Sequence, residues 1–132
     1  MNRGDLQDWL DRYVAAWGTN DRAAIEALFT PDAEYRWRPY GAHRILRGRE
    51  AILDWWLEEP DTPGTWEARY EAWAADGDRG VAVGTSRYLE GGSQAGQTYH
   101  NVFRVEFAPD GRCRTFVEHW MLEERDEPPP AG

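Results

Sequence analysis

Apolar residues first recur at three- and four-residue spacing: Leu6, Trp9, Leu10, Tyr13, Val14 and Trp17, with Asp8, Asp11 and Arg12 between them. That period puts one apolar stripe on an amphipathic helix, and Gly18 marks its end. Thr19 or Asn20 is suited to cap a second, short helix over 21–29, with Ile25, Leu28 and Phe29 turned inward. Thr30-Pro31-Asp32 reads as a turn. In 34–38, Tyr35 and Trp37 alternate with Glu34, Arg36 and Arg38, the pattern of a half-buried strand. A third helix over 49–59 follows Gly48 and carries Ile52, Leu53, Trp56 and Leu57; Pro60 and Pro63 stop it.

Beyond that point the period changes to two. Across 65–75, Trp66, Ala68, Tyr70 and Ala72 alternate with Glu67, Arg69 and Glu71, and Asp76-Gly77-Asp78 turns this strand into another over 80–90. The glycine-rich stretch 91–96 reads as a flexible connection, and 98–107 as the next strand. Pro109-Asp110-Gly111 makes a hairpin turn into the last strand, 112–123. Residues 124–132, with three consecutive prolines, are expected to form a disordered tail, leaving 1–123 as a single domain. No internal repeat is present. Helix, helix, strand, helix and then four long strands with short turns predict an α+β fold with a meandering antiparallel sheet. Strands of about ten residues curl, and the concave face they leave is a default ligand site.

Composition narrows the class. A chain of 132 residues, 41% hydrophobic and 30% charged, suits one ordinary globular domain. No apolar run approaches the ~20 residues of a membrane span, and the opening segment lacks the apolar stretch of a signal peptide, so a cytoplasmic location is expected. A net charge of −9 argues against binding phosphate backbones, so neither nucleic acid nor a membrane is an expected partner. The basic residues are all Arg, which removes any Schiff-base lysine. Cys113 is the single cysteine, and His43, His100 and His119 show no metal-ligand spacing, so no metal is expected. Glycine-rich phosphate loops and the GxSxG motif are also missing, and no cofactor is expected. Eight Trp, six Tyr and four Phe admit two readings: a core of large rings, or a pocket for a flat or greasy ligand.

Three segments carry a family resemblance: Arg12-Tyr13-Val14-Ala15-Ala16-Trp17, Ala27-Leu28-Phe29-Thr30-Pro31-Asp32-Ala33 and Arg47-Gly48-Arg49-Glu50-Ala51-Ile52. Together they resemble the nuclear transport factor two-like superfamily, and within it the SnoaL-like and ketosteroid-isomerase-like bacterial proteins. The resemblance implies a cone-shaped half-barrel, a cystatin-like roll in which a curved antiparallel sheet wraps around N-terminal helices and encloses a pocket. It says less about activity, because one fold hosts many chemistries. By the resemblance, Tyr13 falls where steroid isomerases carry the tyrosine that donates to the developing oxyanion. Trp37 falls at their proton-carrying aspartate, and an indole is no general base at neutral pH, so that mechanism is disfavoured. Asn101 falls at their second acidic donor; it can donate but does not titrate. The aspartate–arginine–aspartate arrangement of the epoxide hydrolases is incomplete here, with Asn101 for one acid and Tyr99 where an arginine belongs. A cyclase-type single acid/base could be met by Glu118.

Strand period selects the pocket-facing side chains. On the strand 98–107 the apolar set is Tyr99, Asn101, Phe103, Val105 and Phe107; on the last strand Phe116, Glu118, Trp120 and Leu122 share a face. Glu118 is thereby expected between Phe116 and Trp120 on the concave side, desolvated and with a raised pKa. Pairing with an arginine at the rim is the alternative. Asn101 is read equally as a buried structural amide, and Tyr13 as a core ring. Trp17, Tyr35, Trp37, Trp56, Trp66, Tyr70, Tyr88, Phe103, Phe116 and Trp120 are expected to line the pocket or its core. Arg36, Arg38, Arg44, Arg47 and Arg49 form a basic cluster, suited to pairing with the chain's own acids or to rimming a carboxylated ligand. Val102, Val117 and Met121 make the outer sheet face unusually apolar, and the resemblance implies a homodimer through it. The expected function is a cofactor-independent isomerase, cyclase or lyase acting on a small hydrophobic or aromatic molecule. Glu118 would be its acid/base, with Tyr13 and Asn101 as donors. A non-catalytic hydrophobic-ligand-binding or accessory protein is the alternative, and a dimerisation scaffold with a filled pocket a third.

Overall fold

The computed structural model describes residues 1–91 and 94–124. Helix α1, Arg3–Thr19, opens on a capping box in which Asn2 and Asp5 exchange side-chain-to-backbone hydrogen bonds, and closes on Asn20 in the left-handed conformation. Asn20 thus ends the first helix, and Asp21 caps the second: α2, Arg22–Glu26, stops three residues before its apolar pattern predicts. The reason is that Phe29 joins the sheet. Strand β1, Phe29–Arg36, absorbs Thr30-Pro31-Asp32, which was expected to turn, as an irregularity in the register between Phe29 and Glu34. Trp37 and Arg38 lie past its end. A 3-10 turn, Ala42–Arg44, leads to a short strand β2, Ile45–Arg47, which the sequence did not announce, and then to helix α3, Arg49–Glu58. Four long strands complete the fold: β3 Trp66–Asp76, β4 Arg79–Tyr88, β5 Thr98–Phe107 and β6 Cys113–Leu122.

Among the described residues these strands form a six-stranded sheet in the order β2-β1-β6-β5-β4-β3. The meander β3–β6 is antiparallel as expected, but β1 pairs with β6 in parallel, so the sheet is mixed. The α+β architecture stands, with the helices on one side of a curved, unclosed sheet. The connection 91–96 falls partly on residues 92 and 93, and the predicted tail on 125–132; both lie outside the described residues.

The core fills the space between helices and sheet. Trp9 is its centre: its ring stacks on Tyr13 at 5.5 Å, meets Phe29 and Phe107 edge-on, and donates its indole N–H to the Leu28 carbonyl at 3.1 Å. Leu6, Leu10, Ile25, Ile52, Leu53, Phe103, Val105 and Phe116 close around it, each no more than 2% exposed. One glycine matters for the site. Gly84 of β4 pairs with Tyr70 of β3, and a Cβ there would collide with the Arg69 carbonyl oxygen and press on the Tyr70 ring. Only a residue without a side chain lets β3 approach this closely and lay Tyr70 against the concave face. Replacing Gly84 by Ala is expected to lower stability by about 1–3 kcal/mol in urea denaturation, the usual range for overpacking. An unchanged midpoint would show that β3 can back away freely.

Candidate active site

The narrow end of the cone is packed and the wide end is open. A cavity of about 600 Å³ lies between α1, α3 and the concave face of the sheet, a size suited to a small organic ligand. Each wall comes from a different element. Helix α1 contributes Tyr13 and Trp17, one turn apart; β1 and the bend after it contribute Tyr35 and Trp37; α3 and the segment after it contribute Trp55, Trp56, Glu58, Glu59 and Asp61. The sheet supplies Tyr70, Ser86, Tyr88, Tyr99, Asn101, Glu118 and Trp120, together with Gln94 from the β4–β5 connection.

Glu118 is the chemical centre. On β6 it lies between Phe116 and Trp120 and directly across from Phe103 of β5. The parallel β1–β6 pairing sets Tyr35 beside Phe116, their rings 4.9 Å apart and 5° from parallel. From there the Tyr35 hydroxyl donates to Glu118 Oε2 at 2.8 Å. No arginine forms an ion pair with Glu118 among the described residues. Burial raises its pKa from the ordinary 4.5 to about 7, against the smaller opposing pulls of the Tyr35 hydrogen bond and the Arg38 charge. A carboxyl poised near neutrality can take or give a proton at physiological pH.

The phenols around it stay protonated. Burial pushes Tyr13 well above the usual phenol range, with the charges of Tyr70 and Glu118 adding to the effect. Tyr35 is raised in the same way by burial and then by Glu118. Both are therefore protonated, and able to donate, at neutral pH. Asn101 is 4% exposed; its Nδ2 donates to Ser86 Oγ at 3.1 Å, while its buried Oδ1 has no partner. Tyr13, Glu118 and Asn101, named from sequence for this role, thus border one cavity. Trp17, Tyr35, Trp37, Trp56, Tyr70, Tyr88 and Trp120 also line it.

Three other sequence-named residues sit behind the wall. Phe103 and Phe116 are 1% and 0% exposed and form the packed floor, and Trp66 stacks on the back of Trp17 at 3.6 Å. Alternation assigns a face, but it does not tell how deep along the cone a residue lies. Sequence reasoning missed Trp55, Glu58, Glu59, Asp61, Ser86 and Gln94 as lining, while Tyr99 lies on the inward set that alternation assigned it. Glu58 ends α3, Glu59 follows it and Asp61 lies between Pro60 and Pro63, a stretch whose only sequence signal was a helix stop. The basic cluster mostly pairs with the chain's own acids: Arg36 and Arg47 approach Glu34, and Arg49 approaches Glu26. Arg38 lies over the Trp120 ring, 3.5 Å from its centroid. Among the described residues no His, Cys, Asp and Glu group is arranged to hold a metal ion, and no helix is long and apolar enough to cross a membrane.

The comparisons agree with this geometry at the level of fold. The SnoaL-like domain family matches residues 10–116. Similar solved structures include a ketosteroid isomerase candidate from Kribbella flavida, 19% identical over 98% of this chain and 85% of that one, with a TM-score of 0.69. A polyketide cyclase candidate from Sinorhizobium meliloti is 24% identical over 90% of this chain and 100% of its own, with a TM-score of 0.64. A protein with a cystatin-like fold from Methylobium petroleophilum is 15% identical over 98% of this chain and 84% of that one, at 0.68. No curated protein matches the sequence.

The raised carboxyl has a measurable consequence for stability. The unfolded chain releases the Glu118 proton near 4.5 and the folded chain holds it to about 7. Between those values folding takes up a proton, so this group's contribution is most favourable below 4.5 and is lost as pH rises through 7. The loss amounts to roughly 3 kcal/mol. Glu118→Gln, which keeps an acceptor for Tyr35, should therefore be more stable than the wild type at pH 8, with the gain shrinking toward pH 5. Urea denaturation at the two pH values checks it; a variant less stable at pH 8 would contradict the assignment.

Proposed function

This chain belongs to the SnoaL-like domain family, and on that footing we propose that its cavity carries out cofactor-independent acid–base chemistry on a small, largely aromatic or apolar molecule. The observation that supports this best is Glu118: a carboxyl with a pKa of about 7, held by one hydrogen bond at the wall of an accommodating cavity. In the proposed reaction its carboxylate removes a proton from a carbon next to a carbonyl. The C–H electrons form the enolate double bond and the carbonyl oxygen takes the negative charge. Tyr13 and the Asn101 N–H not used by Ser86 donate to that oxygen, which lowers the barrier most where water is excluded. Return of the proton to another, conjugated carbon completes an isomerisation; attack of the enolate carbon on a second carbonyl, with the Glu118 proton passing to the alkoxide formed, completes a cyclisation. The ketosteroid isomerase and polyketide cyclase candidates of the same fold fit within this class. Trp37 on the wall is no general base at neutral pH, so Glu118 is assigned both halves of the transfer.

The outer face of the sheet supports a homodimer as part of the same proposal. Val102 is 39% and Met121 68% exposed there, and Trp73, beside the irregularity in β3, is 65% exposed. Apolar groups of this size gain by being covered.

Proton abstraction can be tested without the natural substrate. Wild-type protein in deuterium oxide should accelerate exchange of the α-hydrogens of phenylacetone and β-tetralone, followed by NMR, with a rate that rises with pH and levels above about 7. Glu118→Gln should lose about 10²–10⁴-fold of that acceleration, and Tyr13→Phe a smaller part, while both still bind the ketones. Exchange that survives in Glu118→Gln would refute the assignment. Binding without any exchange by the wild type would favour the ligand-binding reading instead.

A further inference from the structure

Acids dominate the cavity walls. Glu118, Glu58, Glu59 and Asp61 all line it, and among the described residues no arginine or histidine does; the guanidinium nearest to Glu118 is that of Arg38, held on the Trp120 ring. Among the described residues none of these four acids forms an ion pair. Asp61 instead accepts from the Trp17 indole N–H at 2.9 Å, and its charge and that of Glu118 are both felt at Tyr88, which places them around one space. Two helices add to the imbalance. The last turns of α1 and α3 hold no basic residue, and Glu58 is the final residue of α3. A helix C-terminus already carries about half a negative charge, so acids placed there repel it and a cation would relieve the repulsion.

The rest of the lining suits such a guest. Trp17, Tyr35, Trp37, Trp56, Tyr88 and Trp120 surround the cavity, and the face of an aromatic ring attracts positive charge while its edge does not. Trp120 already does this within the chain, where the Arg38 guanidinium lies 3.5 Å from its centroid. Asn101 adds an independent sign. Its side chain is almost wholly buried at the cavity wall, and its Oδ1 is the one acceptor among the buried side-chain atoms left without a partner in the described residues. An N–H donor on a ligand would satisfy it.

We infer that the ligand of this cavity is a cation: a protonated amine on an aromatic or apolar body, with the rings as its cage, Glu58, Glu59 and Asp61 as its counter-charge and Asn101 Oδ1 as acceptor for its N–H. This rests on the proposal that the cavity takes a small molecule, and it adds the charge that the molecule carries. A net charge of −9 on the whole chain draws such a ligand in.

The test compares three probes of similar shape by tryptophan fluorescence titration: N,N-dimethylbenzylammonium, which keeps one N–H, its uncharged carbon isostere isobutylbenzene, and benzenesulfonate. The ammonium should bind about tenfold or more tightly than the isostere, and the sulfonate should not bind. The Glu58→Gln/Glu59→Gln double variant, changed only at exposed positions, should weaken the ammonium several-fold and leave the isostere unaffected. Equal affinity for ammonium and isostere, preference for the sulfonate through Arg38, or no ammonium binding at millimolar concentration would overturn the inference. If the isostere binds and the ammonium does not, the charge is wrong and the small-molecule reading stands. If the ammonium binds tightly but wild-type protein exchanges no α-hydrogens, the acid–base reading fails and the cation reading stands.

Discussion

Strand β1 must run parallel to β6 for the site to exist. Consecutive antiparallel strands need only tight turns, and β3 to β6 follow that economy. The parallel pairing instead brings together two segments more than eighty residues apart, and it does so in a register that seats Tyr35 beside Phe116. From that seat the Tyr35 hydroxyl reaches Glu118. Without the pairing, β6 would be an edge strand; with it, Tyr35 stacks on Phe116 and the carboxyl of Glu118 is held by the Tyr35 hydroxyl at the cavity wall. Burial then does the electrostatic tuning, because the charged form loses water and gains only one hydrogen bond and a distant guanidinium in exchange.

The aromatic residues divide their labour along the cone. Trp9, Phe29, Phe103, Phe107 and Phe116 fill the narrow end at full packing and carry the burden of stability. Trp17, Trp37, Trp55, Trp56, Tyr88 and Trp120 are only partly covered and form the wall of the wide end. Several of these wall rings are pinned by their polar edges: Trp17 by Asp61, Trp56 by Asn20, and Trp120 by the Trp37 carbonyl. One face of Trp17 is covered by Trp66 and one face of Trp120 by Arg38, which fixes these rings further. A wall built this way is preorganised without a ligand, which reduces the ordering that binding requires.

Much of this was legible in the chain. The three-and-four spacing of Leu6 to Trp17 and the period-two alternation of the long strands predicted the elements. Apolar counting on facing sets put Glu118 and Asn101 on the concave side. The rest depended on contacts between distant segments. The turn chemistry of Thr30-Pro31-Asp32 lost to sheet pairing, which extended β1 back to Phe29. Tyr35 carried no sequence sign that it would hold Glu118, since its partner strand was unknown. Asp61, Glu58 and Glu59 read as a helix ending, because the surface they face is assembled from α1, β4 and β6. Phe103 and Phe116 had the right face but the wrong depth, a coordinate that periodicity does not contain, and Trp66, level with Tyr88, is covered by Trp17.

The central claim is that this fold holds one carboxyl near neutrality. Labelling the glutamate side chains with carbon-13 at the carboxyl, assigning Glu118 by its loss in Glu118→Gln, and titrating the chemical shift measures that directly. A midpoint of about 7 is predicted, with Tyr35→Phe moving it upward because the hydroxyl that favours the charged form is gone. A midpoint at the ordinary 4.5, unmoved in Tyr35→Phe, would contradict the account.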